Sequence, residues 1–190
     1  MRGFKIANWG AETPVDVPNA AGRPLFEQVE LNWARPTFWR KGEGRPTFDC
    51  DEPFVYALVH NHGNARTRDR IVYIGLTTSP RTRFGNHERA AEIVSRRGEV
   101  KFSYAPVKLS GRNLADRIGP ALEEIEHLLI WAAWPNLENE KKMFTLPGMG
   151  TNGGNAWHII NKGYRFAGQM PREIAYPWMI VKPGRVPSAR

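Results

Sequence analysis

Two short runs dense in β-branched and aromatic residues, 53–60 (PFVYALVH) and 70–77 (RIVYIGLT), flank a polar loop containing Gly and Asn. Val, Ile and Tyr at this density suit a pleated, buried surface, and the loop between them predicts an antiparallel hairpin. Each run carries a tyrosine, Tyr56 and Tyr73, and Gly75 follows the second. Thr78-Ser79-Pro80 then reads as a helix start, because a hydroxyl can cap free amides and proline suits the first helical position. The helix is expected to run from Pro80 to about Arg96 and to stop at Gly98. Arg83 and His87 lie four residues apart, so they would share one helical face. A hairpin and one helix thereby gather two phenols, a guanidinium and an imidazole.

A third strand is expected at 100–109 and a second helix from Pro120 to Trp134. Leu122, Ile125, Leu129 and Ala132 recur at helical spacing and predict a buried stripe. Glu126 falls beside that stripe, between Leu122 and Ile130, where a carboxylate is costly unless paired, protonated or metal-bound. The other reading is an edge glutamate that reaches solvent. The polar, glycine-rich stretch 136–156 reads as a loop, and the tail as two short extended segments followed by a basic end. Residues 1–52 are rich in Pro, Gly and Trp. The run 26–33 reads as a short strand or a helical turn. Two copies of Arg-Pro-Thr-Phe, at 35–38 and 45–48, read either as a hairpin about Lys41–Gly44 or as a chance repeat. Trp9, Trp33 and Trp39 favour packing of this segment over a disordered tail.

The expected fold is therefore α+β. A small antiparallel β-sheet of about three central strands is flanked by helices, with an N-terminal arm and C-terminal extended segments. The chain divides into an arm or small subdomain (1–52), a central domain (53–140) and C-terminal segments that complete the core (141–190).

Composition narrows the function classes. The 190 residues suffice for a core without staples. The single cysteine, Cys50, excludes an internal disulfide and a Cys-rich zinc site. No secretory h-region opens the chain, and the run LLIWAAW at 128–134 is too short to span a bilayer. These features predict a soluble, cytoplasmic protein with no membrane partner. The net charge is +8 and it is unevenly spread. Residues 1–52 hold seven Lys and Arg against eight Asp and Glu, and the remainder holds 20 against 11. A basic domain favours polyanions, nucleic acid first. Arg66, Arg68 and Arg70 in the hairpin loop, with Arg81 beyond it, are the candidate phosphate contacts. A plainly solvated turn is the other reading of that loop.

These residues resemble the GIY-YIG nucleases over roughly 53–140. The first motif reads Phe54-Val55-Tyr56, with phenylalanine where the family has glycine, and the second is intact as Tyr73-Ile74-Gly75. Arg83 and His87 follow Tyr73 by ten and fourteen residues, the family's spacing. Glu126 opens EHLLIWAAWP, similar to the family's glutamate helix with its trailing proline. Asn136 and Asn139 bracket the place of the family's asparagine. Asn139 is preferred for its flank NEKK, at the cost of a one-residue insertion.

The resemblance implies a metal-dependent DNA endonuclease of restriction, defence or mobile-element type. A structure-specific or single-strand nuclease in repair and a non-catalytic nucleic-acid-binding module are the alternatives. It implies that Glu126 holds one Mg²⁺ or Mn²⁺, that Arg83 holds the scissile phosphate and that Tyr73 supports the site. Tyr56 is the candidate for deprotonating the water, with its phenol lowered by cationic neighbours. His87 helps or serves instead. DNA is the implied partner, and palindromic cutting would require a homodimer or sequential nicking.

Overall fold

The computed structural model describes residues 1–10, 12–61, 69–85, 87–109, 114–147 and 156–184. In chain order the strands are β1 (Phe4–Lys5), β2 (Phe26–Trp33), β3 (Thr37–Phe38), β4 (Phe54–Asn61), β5 (Arg70–Thr77), β6 (Glu99–Pro106), β7 (Ala156–Gly163), β8 (Glu173–Tyr176) and β9 (Ile180–Lys182). Among the described residues three α-helices punctuate them: α1 (Pro80–Arg83) and α2 (Glu88–Ser95) between β5 and β6, and α3 (Leu114–Ala133) after β6.

This corrects the expectation of one small sheet with about three central strands. The nine strands form two sheets, one of five strands in the order β1-β9-β8-β7-β2 and one of four in the order β3-β6-β4-β5. The larger sheet is built wholly from the two flanks of the chain. β2 pairs with β7 in parallel over eight residues, from Phe26↔Ala156 to Trp33↔Gly163. β7, β8 and β9 then pair antiparallel, and β1 adds in parallel to β9. The partners in the β2–β7 pair are 130 residues apart in the chain. Their pairing leaves no trace in local periodicity, so the flanks read as loosely extended segments.

β4 explains how two cores meet. All eight of its residues are buried, as expected of a strand covered on both faces. Val55, Ala57 and Val59 join a core that also holds the apolar side of α3 and the inner face of the larger sheet, including Leu31, Trp157 and Ile174. Phe54, Tyr56 and Leu58 point the other way, into a second core with Phe84, Ile93, Phe102 and Trp39. Of the three tryptophans of residues 1–52, Trp33 and Trp39 are buried and Trp9 is half-buried.

Other boundaries move for local reasons. The helix expected over 80–96 is two helices, because the chain leaves α1 at Phe84 and restarts with His87 as the N-cap of α2. The helix expected from Pro120 begins at Leu114 and encloses Pro120. Its packed residues Ala121, Leu122 and Ile125 hold the helix despite the missing amide. The tail forms three strands where two segments were expected. The run 26–33 is a strand, while Thr37–Phe38 pairs with β6 and not with the second Arg-Pro-Thr-Phe copy. Among the described residues no helix is long and apolar enough to cross a membrane.

Candidate functional site

The site forms on the face of the four-stranded sheet that carries Tyr56. In the β4–β5 pair Tyr56 stands opposite Gly75 and Leu58 opposite Tyr73, with a register shift after Leu58. Directly opposed residues point to the same face, so Tyr56 and Tyr73 are diagonal neighbours there. Their ring centroids are 6.1 Å apart. Gly75, opposite Tyr56, leaves a vacancy that the Tyr56 ring fills.

α1 and α2 lie over this face. Phe84 contacts the Tyr56 ring edge-on at 5.3 Å, which seats the helix pair. The break between the helices sets His87. Its Nδ1 accepts the backbone amide of Ala90 at 3.2 Å, which caps α2. A neutral ring with Nδ1 accepting carries its proton on Nε2. Nε2 lies 2.5 Å from Tyr56 Oη and therefore donates to it. Arg83, from α1, lies 3.5 Å from His87 Nε2, and its charge acts on the Tyr56 phenol. So Arg83 and His87 do meet, but from two helices rather than along one helical face.

The electrostatics follow from burial. Tyr56 has no exposed surface, and burial, then the neighbouring Tyr73, pushes its phenol well above the ordinary range despite the pull of Arg83. This reverses the lowered phenol expected from cationic neighbours alone, because desolvation outweighs one guanidinium that itself faces solvent. Burial, and then Arg83, brings the His87 imidazole down to about 4. It is neutral at pH 7, consistent with its bonding. Tyr73 is also raised, by burial and then by the Glu126 charge.

Glu126 approaches from α3. It is buried to 9% exposure and lines a cleft of about 270 Å³ with Tyr73, Arg89, Asn139 and Lys142. Burial raises its carboxyl, opposed by Lys142, whose Nζ lies 2.7 Å from Oε2. Asn139 occupies the free edge of β5. Its Nδ2 donates to the Ile74 carbonyl at 2.7 Å, and its Oδ1 accepts the Ile74 amide at 3.1 Å. The neighbouring amide of Glu138 donates to the Val72 carbonyl. A two-residue segment thus does what another strand would do on that edge. Asn136 is exposed.

A divalent cation can be tested against these groups. Among the described residues no three His, Cys, Asp or Glu side chains gather into a ready-made cage. Glu126 offers one carboxylate, and its Oε1 has no hydrogen-bond partner among the described residues. A hard ion that keeps most of its waters fits such a set. There it would meet the Lys142 ammonium, which already holds Oε2.

The candidate phosphate contacts divide. Arg66 and Arg68 lie outside the described residues. Arg70 is exposed at the start of β5. Arg81 is exposed and bound to both carboxylate oxygens of Asp51, at 2.8 and 2.7 Å. Sequence reasoning missed Lys142 and Arg89. Arg89 carries no local motif, and Lys142 closes the NEKK flank of Asn139; the further signal for Lys142 was the buried carboxylate, which needed a partner.

Comparison with protein-family models, with characterised proteins and with solved structures finds no match to this chain.

Proposed function

We propose that the protein is a divalent-metal-dependent endonuclease that hydrolyses DNA phosphodiester bonds. The observation that carries this reading is the buried phenol of Tyr56, which receives His87 Nε2–H, with the Arg83 guanidinium 3.5 Å from that same nitrogen, beside the Glu126 cleft. Ordinary strand packing does not call for an imidazole donor on a buried phenol oxygen with a guanidinium beside it. A donor and a nearby cation both favour a phenolate, against the burial that opposes it.

In this reading Arg83 holds the scissile phosphate through its planar, permanently charged fork. A cation on Glu126 would neutralise phosphoryl oxygens and help the phenol ionise. Tyr56, as phenolate, takes a proton from the attacking water. The water oxygen forms a bond to phosphorus, the bond to the leaving oxygen breaks, and that oxygen takes a proton from solvent. His87, with its proton on Nε2, stabilises the phenolate and does not compete for the water's proton. Asn139 keeps β5, and hence Tyr73 and Gly75, in place.

The test is single-turnover cleavage of duplex, single-stranded and branched DNA in Mg²⁺. Tyr56→Phe keeps the ring and deletes the oxygen, so it is expected to lower the rate by about 10²-fold or more. A Tyr56→Phe rate near wild type removes the tyrosine from the chemistry. Absence of cleavage by the wild type on all three substrates removes the nuclease reading.

A further inference from the structure

Lys142 is a charged residue of the cleft that the proposed reaction does not use. Its Nζ bonds Glu126 Oε2 at 2.7 Å and the Glu123 carbonyl at 3.4 Å. Its backbone has φ +67, a left-handed conformation that a residue with a Cβ adopts at a cost. The chain accepts that conformation at the residue whose side chain meets the buried carboxylate. The contact has a chemical conflict built in. An ammonium and a divalent ion cannot both hold one carboxylate at contact distance without repelling each other. Whichever cation leaves must find another anion. The Lys142 stem is flexible, its side chain is 27% exposed, and it borders the cleft where the phosphate would lie.

We propose that Lys142 is a phosphate ligand of this site, held on Glu126 in the free protein and released onto the DNA backbone when a cation takes the carboxylate. This rests on the nuclease reading and adds a residue to it. The exchange replaces one positive charge on Glu126 with two before DNA arrives. It weakens cation binding to the free protein and adds a phosphate contact once both ligands are present.

The consequence is a pair of effects of opposite sign, both measurable without turnover. Mn²⁺ alone is titrated into the full chain by calorimetry. Binding of a duplex oligonucleotide is then measured in Ca²⁺ across a range of salt. Lys142→Met is expected to bind Mn²⁺ roughly three- to tenfold more tightly. The same variant is expected to bind duplex roughly three- to tenfold more weakly, with a salt slope shallower by about one. Lys142→Gln keeps a donor to Glu126 without the charge. It should show the same two signs, and it carries the test if the methionine variant does not fold. Shifts of the same sign, or no shift in either titration, overturn the role of Lys142. If wild type cleaves DNA and the variants leave both titrations unmoved, this inference alone fails. If wild type binds neither Mn²⁺ nor duplex, the nuclease reading fails and this inference falls with it.

Discussion

Gly75 lies so close beneath the phenol of Tyr56 that a Cβ built on it would sit 2.4 Å from both Cζ and Oη. No real carbon tolerates that distance, and the obstacle is a rigid ring inside a packed core. Gly75→Ala should therefore push the ring away from His87 rather than be absorbed. The overpacking is expected to cost about 1–3 kcal/mol in denaturant unfolding. The altered site should lower cleavage by a larger factor than the stability loss explains. A Gly75→Ala protein with wild-type stability and rate would contradict this geometry.

Asn139 replaces a strand at the open edge of β5. Asn139→Ala leaves the Ile74 amide and carbonyl without these partners, at an expected cost of about 2–3 kcal/mol by urea unfolding. Asn139→Asp is expected to be at least as harmful, since a carboxylate cannot donate to the Ile74 carbonyl. Asn136→Ala, at an exposed position, should lie within about 0.5 kcal/mol of wild type. Equal effects at 136 and 139 would dismiss the edge contact.

His87 should titrate near 4 by NMR, with its proton on Nε2 in the neutral form. The unfolded chain protonates its histidine near 6.5, so between these values only the unfolded state gains the proton. Folding stability should therefore fall as pH drops from about 6.5 towards 4 and gain no further penalty from this group below that. His87→Gln should flatten that part of the stability profile. A titration at 6.5 or above would place His87 in solvent and free of Tyr56.

Glu173 acts in the same direction, lower on the pH scale. Burial alone would raise its carboxyl, but bonds from His158, Lys182 and Trp9 bring it down to about 2. Its contribution is present above about 4.5 and is lost as pH falls through about 2. Glu173→Gln should remove this acid-side loss in a pH series of thermal unfolding. An unchanged acid limb would show that the four side chains do not act together.

The parts of the fold that could be read from the chain are those written in contiguous residues. The β4–β5 hairpin, β6 and the buried stripe of α3 announce themselves by periodicity and by Gly or Pro at their ends. The split between α1 and α2 was hidden because Arg83 and His87 have helical spacing, while the cap formed by His87 depends on a ring nitrogen meeting the Ala90 amide. The five-stranded sheet was hidden because its central pairing joins residues far apart. Of the site, the spacing of Tyr56, Tyr73, Arg83 and His87 was legible. The direction of the Tyr56 titration was not, since burial of a phenol is a property of the packed molecule. The partnership of Glu126 with Lys142 likewise needs the turn at 142 to be seen in space.

The parallel seam between β2 and β7 bears on how the protein comes into being on the ribosome. Residues 26–33 emerge early and must wait for 156–163 before they can dock. Until then the apolar side of α3 packs only against β4 and β5 and lacks the cover of the larger sheet. Closing so long a span is slow compared with forming a hairpin. The nascent chain should therefore stay without a completed reaction centre until residues 156–163 have been translated.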